Sequence, residues 1–273
     1  MAKFVAKTIA VDNSDLYQLD NFKPFSSPLI VSVGYESKYK NGKLTVKVFA
    51  DDTLHYKLAD QVPRSKAAKL FKGDDWEARF FKGADTIKGS SEGDALYGFK
   101  GKDQIYGRGG DDTIYGGKGK DKLYGGEGDD TIYGDQGKDK LYGGDGGDTM
   151  DGGKGNDFLD GGTGINYLTG GGGKDTFAFS APLMGGNYAQ IEDFTPGKDT
   201  IQLAKSVFEG IGSKGTLKAG SFFLDSEYAG QAKAVIYDEV TGNLSYAKNG
   251  GDAVVFGRIA NGADLDHKDF LIA

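Results

Sequence analysis

Between residues 80 and 178 the hydrophobic positions keep a period of nine, which fits neither a helix face nor a simple alternating strand. Ile87, Leu96, Ile105, Ile114, Leu123, Ile132, Leu141, Met150, Leu159, Leu168 and Phe177 each stand nine residues after the last. Two positions before each apolar residue comes Asp85, Asp94, Asp103, Asp112, Asp121, Asp130, Asp139, Asp148, Asp157, Asn166 or Asp175. Two positions after it, glycine stands from Gly89 to Gly170. A flexible glycine-rich linker has no reason to hold an apolar residue in phase, so the pattern marks a stacked repeat architecture.

The unit "GGKGKDKLY", Gly116–Tyr124, divides by its chemistry. Its last three residues predict a minimal strand, with Leu123 inward and Lys122 and Tyr124 outward. The six before them predict a turn whose glycines permit positive φ and close backbone approach, leaving carbonyl oxygens to converge on a ligand. A carboxylate at the end of such a turn, joined by several flexible carbonyls, is the ligand set of a hard cation, Ca²⁺ rather than Mg²⁺. Two units make one coil. The expected fold class is all-β: a parallel β-roll, a two-sheet solenoid around a thin apolar core.

The unit matches G-G-x-G-x-D-x-U-x, and the chain resembles the RTX (hemolysin-type calcium-binding repeat) family, closely over 98–160 and recognisably over 80–178. The resemblance implies that each aspartate above, and Asn166 in its place, binds one of several Ca²⁺ ions through its side chain. Carbonyls of the second and fourth turn residues would complete the shells: Gly101, Gly110, Gly117, Gly119, Gly126, Gly128, Gly137, Gly144, Gly146, Gly153 and Gly155. Three departures weaken the ends: Glu92 at a fourth position, Asn166 for aspartate, and Phe80–Phe81 for the first two glycines.

Aspartates on the same side recur every eighteen residues, one coil apart. At a strand spacing of about 4.8 Å, two carboxylates repel by roughly 3 kcal/mol at an effective dielectric of ~20. One inward side chain per strand does not offset this together with the ordering of so many glycines. The roll is therefore expected to be largely disordered without calcium and to fold cooperatively with it.

The flanks read as β-rich. In residues 1–79 the stretch "LIVSVGYESKYKNGKLTVKVFADD" alternates about Asn41-Gly42, a two-residue hairpin signal, and 3–11 and 53–58 suggest further strands. Residues 179–273 resemble the non-repeat region that follows many RTX rolls. Physically they serve as a cap, because an open solenoid end exposes unpaired strand edges. Phe158, Tyr167 and Phe177 are placed to pack against it, and Asp193 and Asp199 are candidates for a further ion or for turn residues.

Composition adds exclusions. A net charge of −7 disfavours nonspecific nucleic-acid binding. The absence of cysteine removes disulfides, thiolate metal sites and cysteine nucleophiles, and no apolar run reaches the ~18 residues of a transmembrane helix. The start "MAKFVAKTIAVDNSD" lacks a secretory leader pattern, while the end "HKDFLIA" resembles the uncleaved C-terminal signal of type I secretion substrates. With calcium scarce in cytosol and abundant outside, the expectation is a secreted protein that uses type I secretion machinery and folds after export. Neither HExxH nor G-x-S-x-G occurs, and the two histidines, His55 and His267, sit in a strand-like stretch and a polar tail. The expectation is a noncatalytic protein. Outward tyrosines in six successive units, Tyr97 to Tyr142, beside lysines such as Lys122 and Lys140, suggest a face for a cell surface or an acidic polysaccharide, or simple ladder packing. The alternatives are a membrane-active role, though no long amphipathic segment precedes the repeats, and an accessory module of a secreted enzyme activity.

Overall fold

The computed structural model describes residues 83–273 apart from 184–185, 231–232 and 249–251, together with the backbone of six strands before residue 83. From Thr86 onward the chain winds as a parallel β-roll, as the nine-residue period predicts. One sheet stacks Thr86–Lys88, Gln104–Gly109, Lys122–Glu127, Lys140–Asp145, Phe158–Thr163 and Thr176–Phe179. The other stacks Ala95–Tyr97, Thr113–Tyr115, Thr131–Tyr133, Thr149–Asp151 and Ile165–Thr169. Every pairing is parallel and shifted by eighteen residues, for example Leu123 beside Leu141 and Ile114 beside Ile132.

The apolar column from Ile87 to Phe177 forms the core, no member being more than 3% exposed. Each coil thus buries two large side chains, worth about 1.5–3 kcal/mol apiece.

The strands depart from the expected three residues in one sheet. In the second they are three long as far as Asp151, but in the first, from Gln104–Gly109 to Phe158–Thr163, they run on through the glycines, as in Lys122–Glu127. The ladder continues there because Gly126 pairs with Arg108 and Gly144 in register. On the opposite edge the turns pair with one another instead, and Lys100–Gly101, Lys118–Gly119 and Gln136–Gly137 form a narrow third ribbon.

Parallel stacking continues past residue 178. Tyr188–Ile191 and then Val254–Ile259 extend the second sheet, and Thr200–Leu203 and then Phe270–Ile272 extend the first. Antiparallel strands Asn243–Ala247 and Ala234–Tyr237 then lie beyond Val254–Ile259, and Gly215–Thr216 beyond Phe270–Ile272. The core widens here: Phe177 meets Phe194, and Phe208 meets Tyr246 and Phe256 edge-on. Of the residues expected to pack against this region, Phe177 is buried. Phe158 instead sits on the outer surface against Tyr142, and Tyr167 is 46% exposed. Both occupy outward-facing positions on their strands, which aim side chains away from the core.

Before the roll, Ser32–Lys40 pairs antiparallel with Lys43–Ala50, with Lys40 opposite Lys43 across Asn41-Gly42, and Phe4–Val5, Ile9–Ala10 and Tyr56–Lys57 add short strands. Phe80–Phe81, His55 and the rest of 1–79 lie outside the described residues.

Candidate metal centre

Two spines of aspartate run along the roll, one at each edge where the turns lie. Asp85, Asp103, Asp121, Asp139, Asp157 and Asp175 follow the edge lined by Lys100, Lys118 and Lys154. Asp94, Asp112, Asp130 and Asp148, then Asn166, follow the edge lined by Asp111, Glu127 and Asp145. All but Asp94 are at most 3% exposed.

Within a spine each Oδ1 accepts the backbone N–H of the aspartate one coil earlier: Asp103 from Asp85, Asp121 from Asp103, Asp130 from Asp112, Asp139 from Asp121, at 2.8 Å in each case. The other oxygen is left over. Oδ2 of Asp103, Asp112, Asp121, Asp130, Asp139, Asp148, Asp157 and Asp175 is buried and accepts no hydrogen bond from the protein. A buried carboxylate oxygen without a partner is among the most costly groups a fold can hold.

Burial pushes the carboxyls of Asp103, Asp112, Asp139 and Asp148 up to about 7, and those of Asp121, Asp130, Asp157 and Asp175 up to about 6. The donated N–H opposes that rise, while neighbouring carboxylates add to it. The roll thus lines up buried carboxyl oxygens that no protein donor serves.

Glycine is required around these oxygens by close approach. A Cβ at Gly125, first in its turn, would collide with Asp130 Oδ2, and one at Gly119 would overlap the Gly101 carbonyl of the preceding coil. The carbonyls expected as ligands are placed differently by position. Second-position carbonyls of Gly117 and Gly153 accept N–H groups of Gln136 and Gly172 on the next coil. Fourth-position carbonyls of Gly101, Gly119 and Gly137 occupy the space that a Cβ on the next fourth-position glycine would need. Among the described residues no three His, Asp, Glu or Cys side chains cluster. A bound ion must therefore draw most of its oxygens from the backbone, which suits the many-oxygen shell of calcium.

The end units differ as their residues suggest. Oδ2 of Asp94 already accepts from Ser90 N at 2.6 Å and Ser90 Oγ at 2.9 Å. Asn166 uses Oδ1 on the Asp148 N–H and turns its amide toward the Thr163 carbonyl. Beyond the repeats, Asp199 carries the spine on by accepting the Asp175 N–H, and Asp193 accepts from Gly170 and Gly171. The backbone role of Oδ1 was not anticipated from sequence; its only trace there is the strict eighteen-residue recurrence.

Outside the spines, Tyr97, Tyr115 and Tyr133 stack at 4.9 and 5.0 Å on the second sheet, and Tyr106, Tyr124 and Tyr142 at 4.8 and 4.9 Å on the first. Lys140, expected to offer charge beside the first ladder, lies over the Phe158 ring. A groove of about 570 Å³ follows the second ladder instead.

Spines of buried aspartate on a parallel roll define a β-roll of the calcium-binding type. The sequence family that matches is the RTX calcium-binding nonapeptide repeat, in four copies over 81–114, 106–141, 115–150 and 151–180; the repeat segment is an RTX calcium-binding β-roll. Among solved structures, the chain is similar to the AlgE6R3 subunit of the Azotobacter vinelandii mannuronan C5-epimerase. That match has 23% identity and a TM-score of 0.30, and covers 67% of this chain and 80% of that one. It is also similar to the AlgE6R2 subunit of the same enzyme, at 26% identity and a TM-score of 0.24, covering 59% of this chain and 92% of that one. No curated protein matches the chain.

Proposed function

We propose that this is a noncatalytic, secreted calcium-binding protein whose roll folds on Ca²⁺ after export through type I secretion machinery, and which then binds a cell-surface or acidic polysaccharide. The observation that carries the reading is the set of eight buried Oδ2 atoms without a protein partner. Asp103, Asp112, Asp121, Asp130, Asp139, Asp148, Asp157 and Asp175 would hold the ions through these oxygens, with turn carbonyls completing the shells. The bound ion supplies the positive charge that the buried rows lack. Because the spines exist only when coils are stacked, binding free energy becomes folding free energy. A roll that needs abundant calcium suits the outside of a cell.

The noncatalytic assignment is supported by His267 lying in a one-turn 3-10 helix of the polar tail and by the spine aspartates being committed to backbone and cation. Circular dichroism tests the central claim: the expected result is little β signal in chelator and a steep gain on adding calcium. A β signal unchanged by chelator overturns it.

A further inference from the structure

Charge separates between the two edges of the roll. At third and fifth positions, the turns 98–103, 116–121, 134–139 and 152–157 hold six lysines and no acid: Lys100, Lys102, Lys118, Lys120, Lys138 and Lys154. At the same positions the alternate turns, from 89 to 148, hold Asp111, Glu127, Asp129 and Asp145 and no base, with Glu92 at a fourth position. All of these side chains are exposed. Among the described residues the ion pairs are Lys248–Glu209 and Lys268–Asp266, so the edge charges are unpaired within the chain. Charges kept only for solubility would mix on both edges.

At the second position the sign is reversed once on each edge: Arg108 stands on the acidic edge and Asp135 on the basic one. Both are exposed and in left-handed backbone, at φ 89° and 67°. Aspartate tolerates that conformation, but arginine rarely adopts it, and such strain collects where a particular side chain is needed. Phe99, the third residue of this kind in the turns, has a use within the chain, packing on Tyr97 at 6.0 Å.

We propose that the basic edge and the acidic edge are the two faces of a contact between copies of this chain, with neighbouring copies antiparallel. An isologous dimer would set lysine against lysine, whereas a heterologous contact joins unlike edges and extends into a row. Both edges share the coil repeat of about 4.8 Å, so opposed charges stay in step.

The two reversed residues set the orientation. Arg108 lies in the first-sheet strand Gln104–Gly109, while Asp135 follows the second-sheet strand Thr131–Tyr133. They meet only if the neighbour is turned over, its first-sheet border beside a second-sheet border, so its coils run the other way. With Arg108 opposite Asp135, Asp111 falls opposite Lys138 in the same pair of turns. The turn of Glu127 and Asp129 then faces that of Lys118 and Lys120, and the turn of Asp145 faces that of Lys100 and Lys102. The turn of Glu92 faces that of Lys154. Every opposed pair is of opposite sign. A shift of one coil instead sets Arg108 against the turn of Lys118 or of Lys154.

Exposed ion pairs are individually weak, so the contact needs concentrated protein and low salt. The test is sedimentation velocity of the full chain at saturating calcium over a series of protein concentrations. At about 20 mM salt the mean sedimentation coefficient should rise with concentration, and at about 0.5 M salt it should not. Lys100→Glu with Lys118→Glu, and separately Glu127→Lys with Asp145→Lys, should each abolish the rise. All four substitutions in one chain should restore it, because Lys100 faces Asp145 and Lys118 faces Glu127 in the antiparallel register alone. Arg108→Gly relieves the backbone and should still weaken association by roughly threefold or more. Calcium-dependent circular dichroism reports folding; if one pair of substitutions disturbs it, the other pair and the salt series carry the test. Sedimentation independent of concentration at low salt overturns the contact. Association that survives both paired variants overturns the edges as its faces, and loss without restoration in the fourfold variant overturns the antiparallel register.

Discussion

Adding one methyl group at Gly119 should separate two coils, whereas adding one at Gly109 should not. Gly119 is the fourth residue of its turn, and a Cβ there overlaps the Gly101 carbonyl oxygen of the coil before. That obstacle is backbone and cannot rotate away. Gly109 is the third residue of a neighbouring turn, where a Cβ meets nothing nearer than 3.8 Å. Neither glycine lies in the left-handed region, so the contrast is steric. Overpacking of this kind costs roughly 1–3 kcal/mol. Opening the ribbon at Gly119 also strains the Lys118 N–H to Phe99 carbonyl bond at 2.7 Å and the Asp103 N–H to Asp121 Oδ1 bond at 2.8 Å. A neutral bond contributes about 0.5–1.5 kcal/mol and one to a charged group about 1.5–3. The combined loss for Gly119→Ala is then on the order of 3–7 kcal/mol. Gly109→Ala should be neutral or stabilise by up to ~1 kcal/mol through the unfolded chain. Thermal melting at saturating calcium should show Gly119→Ala lower by roughly 10 °C or more and Gly109→Ala within a few degrees of the parent. Equal melting temperatures would refute the close stacking of fourth-position glycines.

Other outcomes follow from the spines. Asp130→Ala should raise the calcium midpoint of folding more than Asp94→Ala, because Asp94 Oδ2 already belongs to Ser90; calcium titration by circular dichroism with the reverse ranking would contradict this. In chelator, acidification should stabilise the roll. The spine carboxyls sit at about 6 to 7 when folded against about 3.9 unfolded, so the folded state binds more protons and metal-free stability rises as pH falls from 7.5 toward 4. A β signal of the chelated chain that failed to grow over that range would count against the buried carboxyls of the spine.

The core and the two aspartate spines were legible because every unit repeats the same residue type in the same phase; Leu123 and Asp121 need only their spacing to be placed. Which oxygen does what was not legible. An aspartate at a turn end signals a ligand, but only coil stacking shows Oδ1 spent on the preceding backbone N–H and Oδ2 left over. Phe99, in left-handed backbone at φ 65°, was hidden for a different reason: its residue type argues against that conformation, and the neighbouring coils impose it. Asp199 eluded the period because it lies twenty-four residues after Asp175 rather than eighteen. Tyr167 was misplaced as a packing residue because bulk was weighed above the in–out alternation of its strand.

The bond from each backbone N–H to the next aspartate makes the roll a vector. Along the spines every coil is completed by a group its successor supplies: Asp85 N–H needs Asp103, Asp103 N–H needs Asp121, and so on to Asp157 N–H, which needs Asp175; the bonds that run the other way, such as Asp129 N–H to Asp111 Oδ1, lie in the turns outside the spines. Asp199 answers the Asp175 N–H from outside the repeats. Trimming coils from the front therefore removes spine carboxylates on which no remaining spine amide depends. Trimming from the back strands an amide at the new last coil, wherever the cut falls. The two ends of an apparently uniform array are thus inequivalent, and the segment after the repeats acts as the stop that lets the array end at all.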